Sequence, residues 1–130
     1  MTTAILDTLK QATEGLLYTS ESDYPFDVFL WQTNTLTPKQ LLTKTKHAKN
    51  TPVQVGDFAQ FFAQVTEEKD WYGPEEKEKV AKYKQLVNTL QTLLSDIQVY
   101  RVGEIEIDVY LVGKTSEGSL AGISTKVVET

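Results

Sequence analysis

The chain has 130 residues, 40% of them hydrophobic and 24% charged, a balance that suits one globular domain with a core of its own. A net charge of −5 and a pI near 4.9 argue against direct gripping of nucleic-acid phosphates, and the absence of cysteine excludes disulfides, thiolate chemistry and a zinc finger. No apolar run approaches the roughly 18 residues of a membrane span, and Met1–Ala4 has neither the basic nor the apolar part of a secretory signal. A cytoplasmic protein without membrane attachment is the expectation, and its acidic surface suits a cationic partner.

Ile5, Leu9, Ala12 and Leu16 recur at helical spacing and predict an amphipathic first helix ending near Gly15. Tyr18–Pro25 reads as a polar loop closed by a proline, in which local Ser and Asp turns are the default explanation. Phe26–Trp31 is a short apolar run of β-formers, expected to be a strand buried on both faces. Thr37-Pro38-Lys39-Gln40 carries an N-cap, a first-position proline and a capping-box glutamine, and predicts a short helix to about Lys46. Lys39, Lys44, Lys46, His47 and Lys49 make this the one locally basic stretch, and without interleaved aromatics it reads as solvated surface.

Val53 and Val55 suit a brief edge strand. Asp57 then caps a helical turn whose Phe58, Phe61 and Phe62 are core material. The charged segment Thr66–Pro74 contains Trp71 and Tyr72, and two readings stand there. The indole folds back onto the core, or it is exposed as an interface anchor, a role in which Trp is over-represented. Pro74 opens the longest helix, to about Leu94, with Val80, Tyr83, Val87, Leu90 and Leu94 as its buried stripe. Glu75 with Lys79 and Glu78 with Lys82 are favourably ordered pairs on its solvated face.

Ile97–Val102, a turn at Gly103 and Glu104–Val112 predict a hairpin with Ile105, Ile107, Val109 and Leu111 on an apolar face, and a final strand carries Ala121, Ile123, Thr125 and Val127 on one face. The order helix, strand, helices, three strands predicts an α+β fold, a single domain over 1–130 with a mainly antiparallel sheet.

Enzyme chemistry finds little support. His47 is the only histidine and sits among lysines, where exposure is expected, and no phosphate-cradling glycine loop occurs. The best candidate is the row Glu104, Glu106, Asp108, which alternation places on one strand face at intervals of roughly 6–7 Å. Such a row could hold a hard cation or an acid/base pair. A solvent-facing sheet surface explains it more simply.

Four stretches carry a more specific argument: Ser20-Glu21-Ser22-Asp23-Tyr24-Pro25-Phe26-Asp27-Val28-Phe29-Leu30-Trp31, then Asp70-Trp71-Tyr72, Val99–Glu104 and Leu120–Thr130. They closely resemble the bacterial nuclease A inhibitor family. These small proteins block a sugar-nonspecific, magnesium-dependent DNA/RNA endonuclease of the ββα-metal class. The resemblance covers the first helix through Trp31, about Asp57 to Tyr72, and nearly everything after Gln98. The segment Thr33–Val55 departs from the family pattern, and Lys69 stands where a neutral polar residue is expected.

The resemblance implies a three-layer α/β/α sandwich and a protein that is not an enzyme. It implies a 1:1 complex with the nuclease, no cofactor of its own and no direct nucleic-acid contact. By position, Glu21 matches the loop residue that reaches the partner's active-site region, and Asp70 with Trp71 the aromatic-acid contact. Thr130 matches the C-terminal threonine that approaches the partner's Mg²⁺. Ser22, Asp23, Tyr24 and Glu129 flank these positions as secondary candidates. Two other functions stay open on the residues alone: an interaction module directed at a different protein, and a metal-dependent enzyme using the acidic row.

Overall fold

The computed structural model describes residues 2–19 and 23–129. Eleven elements follow in order: α1 (Thr2–Thr13), β1 (Leu17–Thr19), β2 (Asp23–Pro25), β3 (Asp27–Trp31), α2 (Pro38–Lys44), β4 (Val53–Gly56), α3 (Phe58–Thr66), α4 (Pro74–Leu93), β5 (Ser95–Val102), β6 (Glu106–Lys114) and β7 (Leu120–Val128). Five strands form one antiparallel sheet in the order β3-β7-β6-β5-β4, and β1 pairs with β2 in a separate ribbon. This is the expected α+β architecture.

The alternation along the strands explains the layers. Ile107, Val109 and Leu111 of β6, with Ala121, Ile123 and Val127 of β7, bury one sheet face against Leu9 of α1, Phe61 and Phe62 of α3, and Tyr83, Leu86 and Leu90 of α4. On the other face α2 lays Leu41 and Leu42 over Val102, with Trp31, Val53, Tyr100 and Tyr110 around them. Helices therefore cover both faces. α2 starts as its sequence dictates, with Thr37 accepting from the Gln40 amide at 3.2 Å and Gln40 Oε1 accepting from the Thr37 amide at 2.9 Å.

Two expectations need correction. The Tyr18–Pro25 stretch is a hairpin on either side of residues 20–22, not a loop throughout. It is held by distant partners: Tyr18 donates its hydroxyl to the Phe61 carbonyl at 2.9 Å, and Thr125 donates to the Pro25 carbonyl at 3.0 Å. Nor is β3 buried on both faces; it is an edge strand paired only with β7, and Val28 through Trp31 are half-buried. On the long helix, Glu78 and Lys82 approach to 4.0 Å, a solvated pair of small energetic weight.

Tyr83 sits fully buried at the centre of α4 and donates its hydroxyl to the Leu17 carbonyl at 2.6 Å. Burial above all, with Tyr18 and Asp23 adding to it, pushes its ionisation well above that of an ordinary tyrosine. Burial likewise raises Tyr100 and Tyr110. The folded state thus favours the neutral phenols, and their contribution is complete below the ordinary value of about 10 and lost as pH rises past it toward the raised folded-state value. Denaturant midpoints measured against pH should stay level to about pH 9 and fall beyond about pH 10. Tyr83→Phe should cost about 1 kcal/mol at neutral pH and make the alkaline fall shallower. An unchanged alkaline profile in the variant would show that Tyr83 is not the group responsible.

Candidate functional site

The segment Glu67–Gly73 joins α3 to α4. Lys69 binds Glu67 at 2.8 Å, and this hydrogen bond raises the lysine's ionisation, so both charges are satisfied inside the loop. Lys69, which departs from the family pattern, therefore does not present a free charge beside Trp71. The Tyr72 amide donates to the Lys69 carbonyl at 3.1 Å and closes a tight turn, with Gly73 then held by Glu76 at 2.8 Å. The turn carries Asp70 and Trp71 outward. Trp71 is 78% exposed, with Tyr72 edge-on to it at 6.1 Å. Between the two readings of this residue, the core reading fails.

At the end of β7 the ladder runs to Val128, paired with Glu106. The Glu129 amide then donates to the Ile105 carbonyl at 2.9 Å, and Arg101 Nη2 donates to the Glu129 carboxylate. Glu129 is thus engaged within the chain. Thr130 lies outside the described residues. The turn beside Glu129 depends on Gly103, whose φ of +115° is accessible to glycine and whose absent Cβ would lie 2.5 Å from the Glu106 carbonyl oxygen. Ile105, in that turn, is 60% exposed.

Glu21 and Ser22 also lie outside the described residues, between the two strands of the ribbon. Asp23 is exposed and paired in register with Thr19, whereas Tyr24 is half-buried under the Lys126 ammonium, 5.7 Å from its ring.

Topology brings the Trp71 turn, the Val128 end of β7 and the Thr19–Asp23 end of the ribbon to one end of the molecule. Leu94 leads from α4 directly into Ser95, which pairs with Lys114, itself paired with Leu120 at the far end of the sheet. α4 therefore begins at the opposite end. Tyr83 lies at the level of Phe26, next to the Asp27–Ser124 pair. From there back to Pro74 is about 13 Å of helix, and from Ser124 on to Val128 about 13 Å of strand. The Trp71 turn, the end of β7 and the free end of the β1–β2 ribbon share that end.

The acidic row does not survive as a row. Glu104 and Ile105 belong to the turn before β6, so the alternation begins only at Glu106, and Ile105 is surface where core was expected. Asp108 is bound to His47 Nε2 at 2.7 Å, and His47 Nδ1 lies 2.6 Å from the Thr45 hydroxyl. His47 is consequently half-buried, not exposed: Lys46, at φ 62°, turns the chain back and the α2 layer covers this part of the sheet. Thr45 gives its hydroxyl hydrogen to the Leu41 carbonyl at 2.7 Å. The group reads as a polar staple fastening α2 to the sheet. Among the described residues no cluster of three or more His, Asp or Glu could hold a metal ion.

Sequence reasoning missed Arg101 and Ile105. Arg101 lies in the Val99–Glu104 stretch that carries the resemblance, but nothing local pairs it with Glu129, and Ile105 kept the parity of Ile107 and Val109 although the Gly103 turn ends only after it.

The fold and this end of it define a class: an α+β scaffold that presents a turn, a ribbon tip and a strand end together, with an indole standing in solvent. Nearly the whole chain, residues 3–130, matches the family of nuclease A inhibitor-like proteins, and it belongs to that family. The match runs through the 33–55 segment as well. No curated protein matches it. No helix of the described residues is long and apolar enough to cross a membrane.

Proposed function

We propose that this protein is a non-catalytic inhibitor of a magnesium-dependent, sugar-nonspecific DNA/RNA endonuclease, acting in a 1:1 complex through the end of the sheet described above. Family membership points to a nuclease as partner. The observation that carries the reading is the exposed Trp71 at the end of the molecule where β7 delivers the last residues of the chain. A large indole left in water has no stabilising role in the free protein, whereas at the centre of an interface such residues supply much of the affinity.

The chemistry of the remaining positions suits a nuclease. Such a site takes phosphate oxygens onto a hard metal among cationic side chains. Mg²⁺ prefers oxygen ligands and typically accepts one or two carboxylates while keeping waters. Thr130 matches the family's C-terminal threonine, where an α-carboxylate, ionised at neutral pH, and the hydroxyl beside it would imitate part of a phosphate. Glu21 adds a charge for a basic side chain, and Asp70 flanks the indole. The metal belongs to the partner.

The test is a titration into such an endonuclease of the ββα-metal class acting on both DNA and RNA. Activity should fall linearly and vanish at one equivalent when the enzyme is well above the dissociation constant. An ordinary interface with a few anchors reaches about −12 kcal/mol, hence nanomolar affinity. Unchanged nuclease activity at a large excess of the protein, against several enzymes of that class, would remove the proposal.

A further inference from the structure

We propose that Arg101 is a positioning residue for the C-terminus: its ion pair with Glu129 aims the residue that follows. The inference rests on the reading of Thr130 as a contact to the nuclease. Arg101 lies on β5 opposite Val109 of β6, on the face of the sheet covered by α1, α3 and α4, and its side chain is only 26% exposed. Val127, Ile107 and Glu129 share the same face by strand parity. Arg101 therefore reaches across the end of β6, past the Gly103 turn, to the carboxylate that stands one position beyond the ladder.

Two bonds hold Glu129 after the strand has ended. The amide is bound to the Ile105 carbonyl at 2.9 Å, which fixes the backbone on one side, and Arg101 fixes the side chain on the other. Only one peptide, about 3.8 Å from Cα to Cα, separates this clamped residue from Thr130. A terminal residue is ordinarily poorly ordered unless tied down. At Glu129 the tie comes from a residue that need never touch the partner. Arg101 is also the one arginine of the chain, and the guanidinium suits the role because it offers a planar fork to a carboxylate.

The test measures inhibition constants against the same endonuclease for Arg101→Ala, Glu129→Gln, the exchange Arg101→Glu/Glu129→Arg, and each of these with Thr130 deleted. Arg101→Ala and Glu129→Gln should each weaken inhibition about five- to thirtyfold, the cost of ordering one residue's backbone on binding. The exchange should recover most of the loss. In the Thr130-deleted protein the same substitutions should change nothing further, because an aim without a contact has no effect. Amide exchange at Glu129 should quicken in Arg101→Ala while that of β6 stays unchanged.

Wild-type inhibition by both single variants, with Thr130 deletion still damaging, would overturn the role of Arg101 and leave the nuclease reading standing. Equal losses with and without Thr130 would overturn it too, by making Arg101 a direct contact. Full inhibition by the Thr130-deleted protein would overturn the Thr130 contact and the role of Arg101 with it, while leaving the protein a nuclease inhibitor. If Arg101→Ala fails to fold, Glu129→Gln reads the same link from its exposed end.

Discussion

Deleting Glu129 and Thr130 should weaken inhibition of the nuclease by about thirty- to several thousandfold, the range for losing one buried, charge-bearing contact from an interface. The fold should hardly register the change. Among the described residues, what disappears is the exposed Glu129 side chain, one amide bond to the Ile105 carbonyl and one surface ion pair. Together these are worth about 1 kcal/mol, or a few degrees in Tm. Every paired residue of β7 from Leu120 to Val128 is retained, and with it the packing of Ile123 and Val127. A peptide tag appended after Thr130 is the sharper version. It leaves every described contact of the free protein in place, yet it converts the carboxylate to an amide and adds bulk where the partner must approach. Inhibition assays on the deleted and tagged forms, with calorimetric Tm as control, decide the matter. Undiminished inhibition by the tagged protein would end the case for the terminus.

How much of this was legible in the sequence depends on the range of the interactions involved. The stripe Val80, Tyr83, Leu90 and the capping box at Thr37 and Gln40 are local patterns, and the structure has both where the spacing put them. The apolar face of β6 from Ile107 to Leu111 was equally readable. The β1–β2 ribbon was not, because its strands are three residues each and its support comes from Phe61 and Thr125, far along the chain. Asp108 was read as solvated for the same reason: its partner His47 is 61 residues away, in a stretch that looked like surface. At the candidate site the pattern is similar. Composition marked Trp71 as worth attention, but only tertiary structure could decide between core and solvent. The clamp on Glu129 joins Arg101 to a residue 28 positions on, and neither side chain announces the other.

Trp71→Ala is the second large expected effect, and here binding and stability should part company. The indole is 78% exposed and its one described ring contact is edge-on with Tyr72, so truncating it should leave the free protein within about 0.5 kcal/mol of wild type. If it anchors the interface, the same truncation should cost about 2–4 kcal/mol of binding, roughly thirty- to a thousandfold in the inhibition constant. Trp71→Phe should recover part of this by keeping a flat apolar surface. Fluorescence gives an independent reading because the chain has two tryptophans, and the other, Trp31, is half-buried against Phe29 with Lys44 over its ring. In a Trp31→Phe background the emission reports Trp71 alone, provided the partner's tryptophans are subtracted. It should begin near that of indole in water and shift to the blue as nuclease is added, in step with loss of activity. A complex that inhibits while this emission stays at its solvent position would place the interface elsewhere. A large drop in Tm for Trp71→Ala would return the residue to the core.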